Sequence, residues 1–244
     1  MNLTVDIGNT RTKIGVFNGS QLVEKIVWQK WEPEDLFTLA TNQTAQNVIL
    51  STVAKSLSEK VAHIFQKHFY YLELTAETPL PIENKYKTPQ TLGKDRLAAV
   101  VGAFALFPKT NVLVVDAGTC ITYDLLTKEG VYQGGNISPG LKMRIEAMHQ
   151  MTNRLPLVPM ELPEEALGKT TQTALQNGAL LGAILEFEGF LAMFEAEFGQ
   201  VKVILTGGDA DFFAKKRKRK IFVNPDLVLI GLNKILNHNV ECLA

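Results

Sequence analysis

A short motif written twice constrains this chain more than any other feature. Val5-Asp6-Ile7-Gly8-Asn9 near the start is echoed by Val115-Asp116-Ala117-Gly118-Thr119 near the middle. An internal echo of this kind signals two copies of one structural unit. Each copy follows a β-rich apolar run, residues 3–5 and 112–115, and each Gly opens a short polar turn into a second strand, over 12–17 and 121–126. The pattern predicts a hairpin with an aspartate at its mouth. Asn18-Gly19 and Glu129-Gly130 then stand where tight turns belong, with third strands expected over 22–28 and around 131–133. Each half therefore opens as a three-stranded meander.

After its meander the first half reads as a helix over 33–40, a strand over 48–52, a helix over 57–67 and a strand over 70–74. The second half continues with a helix after Gly140, a long helix from about 173 to 198, a strand over 201–205 and a final helix from about 226 to 237. Strands alternating with helices predict an α/β fold, here a duplicated pair of mixed sheets flanked by helices. The halves are expected over 1–108 and 109–244. Between them residues 78–96, rich in Pro, Lys, Thr and Gly, read as an exposed loop of the kind that carries function, leading into a helix over 97–106.

Composition removes several classes of function. Hydrophobic residues make up 46% of the chain, and 25 Lys and Arg balance 25 Asp and Glu, so the sequence suits a packed core and signals neither disorder nor a partner chosen by charge. The basic run 215–220 has no interleaved aromatics and is expected to be a solvated face rather than a nucleic-acid site. Two cysteines, Cys120 and Cys242, make neither a disulfide framework nor a zinc set. Without a signal-peptide pattern or an apolar stretch of roughly 20 residues, the expected location is cytoplasmic, with no membrane partner.

Asp6-Ile7-Gly8-Asn9-Thr10 with Lys13 suits a polyphosphate. Gly8 lets backbone amides approach an anion, Asn9 and Thr10 add neutral donors, and Lys13 brings positive charge. Asp6 would repel phosphate directly, so its fitting role is to hold Mg²⁺ through water. The same residue types also make an ordinary hairpin turn, and it is the second copy, with Asp116, Gly118 and Thr119, that favours the phosphate reading. Thr206-Gly207-Gly208-Asp209-Ala210 is a third glycine turn between a strand and a helical run, where a nucleoside could approach the backbone.

Taken together the chain resembles the superfamily of acetate and sugar kinases, heat-shock chaperone ATPases and actin, and within it the type III pantothenate kinase family. The matching segments are Asp6 to Thr10 with Lys13, Gly93-Lys94-Asp95-Arg96, Asp116 to Thr122, Gly134-Gly135-Asn136-Ile137-Ser138-Pro139-Gly140, and Thr206 to Ala210. The resemblance implies transfer of the ATP γ-phosphoryl group to the primary hydroxyl of pantothenate, with Mg²⁺ and a monovalent cation, K⁺ or NH₄⁺. It assigns ATP contacts to Asp6, Gly8, Asn9, Thr10, Lys13, Gly118, Thr119, Gly207 and Gly208. It makes Asp95 the general base, Tyr86, Gly93, Lys94, Asp95, Arg96 and Thr171 the substrate contacts, and Asp116 the monovalent-cation ligand. Gly93 to Arg96 read equally as a helix amino terminus with Asp95 in its first turn, Asp116 as a second Mg²⁺-directing carboxylate, and Thr171 as a helix cap. The family's second substrate segment crosses a dimer interface, so a homodimer is expected, with Gly178, Ala179, Gly182 and Ala183 permitting close helix packing, although residues this small also suit packing within one chain. Another small-molecule kinase or phosphatase of the superfamily, or a nonenzymatic accessory factor, is the alternative.

Overall fold

A computed structural model of the chain describes residues 1–8, 11–52, 54–214 and 221–242. Asn9, Thr10 and the basic run 215–220 lie outside the described residues. By its contacts the chain divides into two units, Met1–Lys109 with Glu129–Gln133 and Asp226–Ala244, and Thr110–Lys128 with Gly134–Pro225.

The first unit opens with β1 (Asn2–Ile7), β2 (Thr12–Asn18) and β3 (Gln21–Trp28), followed by α1 (Pro33–Asn42), β4 (Asn47–Thr52), α2 (Lys55–Phe65), β5 (Tyr70–Glu73), β6 (Glu83–Asn84) and α3 (Lys94–Leu106). Its five-stranded sheet runs β3-β2-β1-β4-β5, antiparallel through the meander and parallel from β1 to β5. Strand alternation sends Leu3, Val5, Ile14, Val16, Val48 and Leu50 into a core with Leu36 and Ala40 of α1 and Val61 and Phe65 of α2.

The second unit is built from β7 (Val112–Ala117), β8 (Cys120–Leu126), β9 (Val131–Pro139, of which Val131–Gln133 belong to the first unit), α4 (Leu141–Gln150), α5 (Thr171–Gln176), α6 (Gly182–Phe198), β10 (Lys202–Thr206), α7 (Ala210–Ala214) and β11 (Phe222–Val223). Strands β11, β10, β7, β8 and β9 lie in that order, with β7 and β8 antiparallel and β10 parallel to both its neighbours. A π-helical turn over Asn177–Leu181 joins α5 to α6. The inward residues of β7 and β8, Leu113, Val115, Ile121 and Tyr123, pack against Ala179, Ala183, Phe187 and Leu191.

The chain then returns to the first unit with α8 (Leu227–Glu241), which packs on β1, β2, β4 and α3. Glycines set that contact: a Cβ at Gly102 of α3 would collide with the Leu227 backbone, and one at Gly231 of α8 with the Ala98 backbone. Polar side chains fix the register, since Asn2 Nδ2 donates to Asn233 Oδ1 (2.9 Å) and Asn237 Oδ1 (2.7 Å), and Asn233 Nδ2 donates to the Gly19 carbonyl (2.8 Å). Asn2 and Asn233 are buried, so leaving either unpaired would cost about 1–3 kcal/mol.

Several sequence expectations shift. The third strand expected around 131–133 runs to Pro139, because Gly134 and Gly135 allow the backbone to pass where a Cβ at Gly135 would collide with Tyr123. The loop over 78–96 is tied down by β6 and by a 3₁₀ turn at Pro89–Thr91, and α3 begins at Lys94, so Asp95 and Arg96 are helical. Ala179 and Ala183, for which packing between chains and within one chain were both open, are buried in the core of their own unit, whereas a Cβ at Gly178 would meet nothing within 4 Å. No helix among the described residues is long and apolar enough to cross a membrane.

Candidate active site

The first hairpin ends at the carboxyl edge of β1, where parallel pairing with β4 leaves a crevice outside the strands. Asp6 faces Lys13 across the antiparallel ladder and lies beside Ser51 in the parallel one. Gly8 closes the turn, its N–H donating to the Arg11 carbonyl at 3.1 Å. Asp6, Ile7 and Gly8 line a cavity of about 150 Å³ together with Ser51 and Thr52 from the end of β4 and Lys94 and Asp95 from the start of α3. The phosphate-type loop and the Gly93-to-Arg96 segment thus meet within one unit.

The electrostatics of this cavity are set by two acids at close quarters. Burial, then the neighbouring Asp95 carboxylate, push the Asp6 carboxyl up from 3.8 to about 6, against the pull of Lys13 and a hydrogen bond from Ser51. Asp95 occupies the first turn of α3, and one carboxylate oxygen accepts from the Arg96 N–H at 2.8 Å. Gly93 makes that geometry possible, because a Cβ there would come within 2.5 Å of Asp95 Oδ1. Lys94 is held to the side by Glu73 of β5, Nζ to Oε1 3.2 Å, and the other Glu73 oxygen accepts from the Ser58 hydroxyl.

Arg96, five per cent exposed, lies with its guanidinium carbon 5.5 Å from the centre of the Tyr86 ring. The sequence reading named both residues, and the fold brings them together. It missed Ser51 and Thr52, whose only local signal is a pair of hydroxyl residues closing the apolar strand over 48–50.

In the second unit the hairpin of β7 and β8 places Asp116 opposite Thr122, so a hydroxyl stands where the first hairpin has Lys13. The Gly118 N–H donates to the Cys120 carbonyl (2.9 Å) and closes a turn one residue shorter than the first. Two glycine turns are seated against this loop. The Gly140 N–H donates to the Thr119 carbonyl (3.1 Å), and the Asp209 N–H to the Ala117 carbonyl (2.9 Å). A Cβ at Gly140 would collide with the Gly118 and Thr119 carbonyls; one at Gly207, where φ is +90°, would collide with Ala117 and Asp116. Gly208 borders open space, and burial pushes the Asp209 carboxyl up.

The Gly134-to-Gly140 segment is braced from behind. Arg144 of α4 donates to the Pro139 carbonyl (2.9 Å), the Ser138 hydroxyl (2.8 Å) and Glu186 of α6 (2.7 Å), and the Tyr123 hydroxyl donates to Glu186 at 3.0 Å. Burial opposes ionisation of Glu186, but those donors outweigh it and hold the carboxyl below its usual range. At the start of α5 the cap is Thr170, whose hydroxyl accepts from the Thr173 N–H at 3.1 Å. Thr171, expected as a capping residue, is instead the first helical residue and exposed.

These two units, each a mixed sheet opening with an aspartate-tipped hairpin and flanked by helices, define the fold of actin-like ATPases and related sugar kinases. A ROK hexokinase from Thermus thermophilus aligns with a TM-score of 0.56 at 14% identity, over 98% of this chain and 99% of that one. A structure from Campylobacter jejuni described as a Baf family transcriptional activator aligns with a TM-score of 0.67 at 24% identity, over 98% of this chain and 99% of that one. The family is narrower: residues 2–193 match the model of type III pantothenate kinase, and the chain belongs to that family. A type III pantothenate kinase of Bacteroides fragilis is 43% identical over 239 residues, 98% of each chain.

Proposed function

We propose that this chain is an ATP-dependent pantothenate kinase, transferring the γ-phosphoryl group to the primary hydroxyl to give 4′-phosphopantothenate, the first step of coenzyme A synthesis. Family membership along nearly the whole chain supports this. The structural observation that carries it is the cavity in which Asp6 and Gly8 meet Lys94 and Asp95, so that one crevice offers both a phosphate loop and a carboxylate for a hydroxyl. Phosphoryl transfer has a loose transition state in which positioning and charge stabilisation supply most of the rate. One residue need only accept a proton. Asp95 takes it from the attacking hydroxyl as general base; Lys94 and Lys13 offset the charge of the transferring group.

Arg96 meets the carboxylate at the far end of pantothenate, with Tyr86 and Gly93 beside it. Of the residues that the family resemblance assigns to ATP, Asp6, Gly8, Asn9, Thr10 and Lys13 belong to the first unit and Gly118, Thr119, Gly207 and Gly208 to the second. Asp6 would hold a Mg²⁺ brought in with ATP, which would supply positive charge against the phosphate oxygens. Asp116 fits a monovalent cation, K⁺ or NH₄⁺, on its chemistry, because a half-buried carboxylate in a loop of backbone carbonyls is an all-oxygen donor set suited to a hard ion. We include a cytoplasmic location, with neither membrane nor nucleic acid as partner, and a homodimer in which the exposed Thr171 serves the partner's substrate. The test is turnover of pantothenate by the purified chain with MgATP, with and without K⁺. Phosphorylation of another small alcohol in its place, or no phosphorylation at all, overturns the proposal.

A further inference from the structure

Tyr132 is fully buried near the start of β9, and no sequence pattern singled it out. Within the first unit β9 pairs in parallel with β6, Asn84 opposite Tyr132. Two backbone bonds hold that register, from the Glu83 N–H to the Gly130 carbonyl (2.9 Å) and from the Lys85 N–H to the Tyr132 carbonyl (3.0 Å). One residue on, the Tyr86 N–H donates to Asn84 Oδ1 at 2.9 Å, a local turn that aims the Tyr86 ring. The ring comes to lie parallel to that of Tyr132, with an interplanar angle of 6° and 6.2 Å between centres. The Arg96 guanidinium carbon is in turn 5.5 Å from the centre of the Tyr86 ring.

The geometry points to Tyr132 as a positioning residue for recognition of the substrate's carboxylate: it backs Tyr86, and Tyr86 backs the guanidinium of Arg96. Arginine carries a long, rotamer-rich side chain; a flat partner beneath the guanidinium restrains it, and its planar N–H groups match a carboxylate in paired hydrogen bonds. Ordering that group before the substrate arrives lowers what binding must otherwise spend on ordering it. The inference rests on the reading that Arg96 meets the carboxylate.

The experiment is steady-state kinetics on the full chain. Tyr132→Leu removes the flat face, and KM for pantothenate is expected to rise about 3- to 10-fold, the size of one stacking contact. Both kcat and KM for ATP stay within about twofold, and Tyr132→Phe, which keeps the ring, restores KM. An analogue whose carboxylate is capped as an amide, read as substrate or as inhibitor, shows no such rise. Tyr132 lies in the core, so Asn84→Ala, at a half-buried position, loosens Tyr86 independently and decides the matter if Tyr132→Leu fails to fold. Unchanged KM for pantothenate, an equal rise for the capped analogue, or no recovery in Tyr132→Phe overturns the inference. Arg96→Ala separates the two levels: if it leaves KM for pantothenate unchanged, the carboxylate reading fails. If it raises KM while Tyr132→Leu does not, only the positioning role of Tyr132 falls.

Discussion

Replacing Asp6 with Asn is expected to stabilise the ligand-free protein and to disable it. The carboxyl rises from 3.8 to about 6 in the folded chain because it is buried and faces Asp95. At about 1.4 kcal/mol per pH unit, the ionised form costs the fold on the order of 3 kcal/mol near neutrality. The sign follows from proton counting. Between pH 3.8 and about 6 the folded state binds more protons than the unfolded one, so stability falls as pH rises through that window and stays level above it. Asn carries no such charge and keeps an oxygen for the Ser51 hydroxyl. Thermal melting without nucleotide is therefore expected to show Asp6→Asn about 6–12 °C above the parent at pH 7.5, using about 2–4 °C per kcal/mol for a chain of this size. At pH 4 the two should nearly coincide. Turnover should fall by roughly 100-fold or more, in proportion to a lost charge at the transferring group. A variant that melts no higher than the parent at pH 7.5, or that gains as much at pH 4, refutes the assignment of strain to this carboxylate.

Asp95→Asn should abolish proton acceptance, lowering kcat by about 100- to 10,000-fold, while the fold is kept and melts slightly above the parent because the repulsion on Asp6 is relieved; circular dichroism alongside the kinase assay checks both. Gly207→Ala forces a Cβ into the Ala117 backbone and the Asp116 carboxylate at a left-handed φ, so a loss of about 1–3 kcal/mol with a raised KM for ATP is expected from melting and kinetics. A K⁺ titration should stimulate the parent and leave Asp116→Asn flat. Thr170→Ala should lower stability by about 1 kcal/mol through its lost cap, measured by denaturant unfolding.

The sequence disclosed what is local or repeated. The aspartate-tipped hairpins were legible because an apolar run, a Gly turn and a second apolar run declare themselves within about fifteen residues, and because Asp116 repeats the setting of Asp6. Asp95 came through its motif rather than its pattern, since an acid in the first turn of a helix is unremarkable by itself. What stayed hidden depends on pairing between distant segments. Ser51 reaches Asp6 only through the parallel register of β1 and β4, and Tyr132 reaches Tyr86 only through β6 and β9. The long helix was read with the right length, but periodicity cannot say whether small residues such as Ala179 and Ala183 serve their own core or another chain's, and here they serve their own.

The return of α8 to the first unit has a consequence for biogenesis. The helix that begins with Lys94 and Asp95 rests, glycine against backbone, on residues made more than a hundred positions later. During synthesis the first sheet can pair its strands and dock α1 and α2 early, yet the layer on its other face is missing until residues 227–241 have emerged. A ribosome that stalls before that point releases a product with the Asp95 helix undocked and buried residues such as Phe17 and Ile49 bare, a form that invites chaperones and proteases rather than performing chemistry.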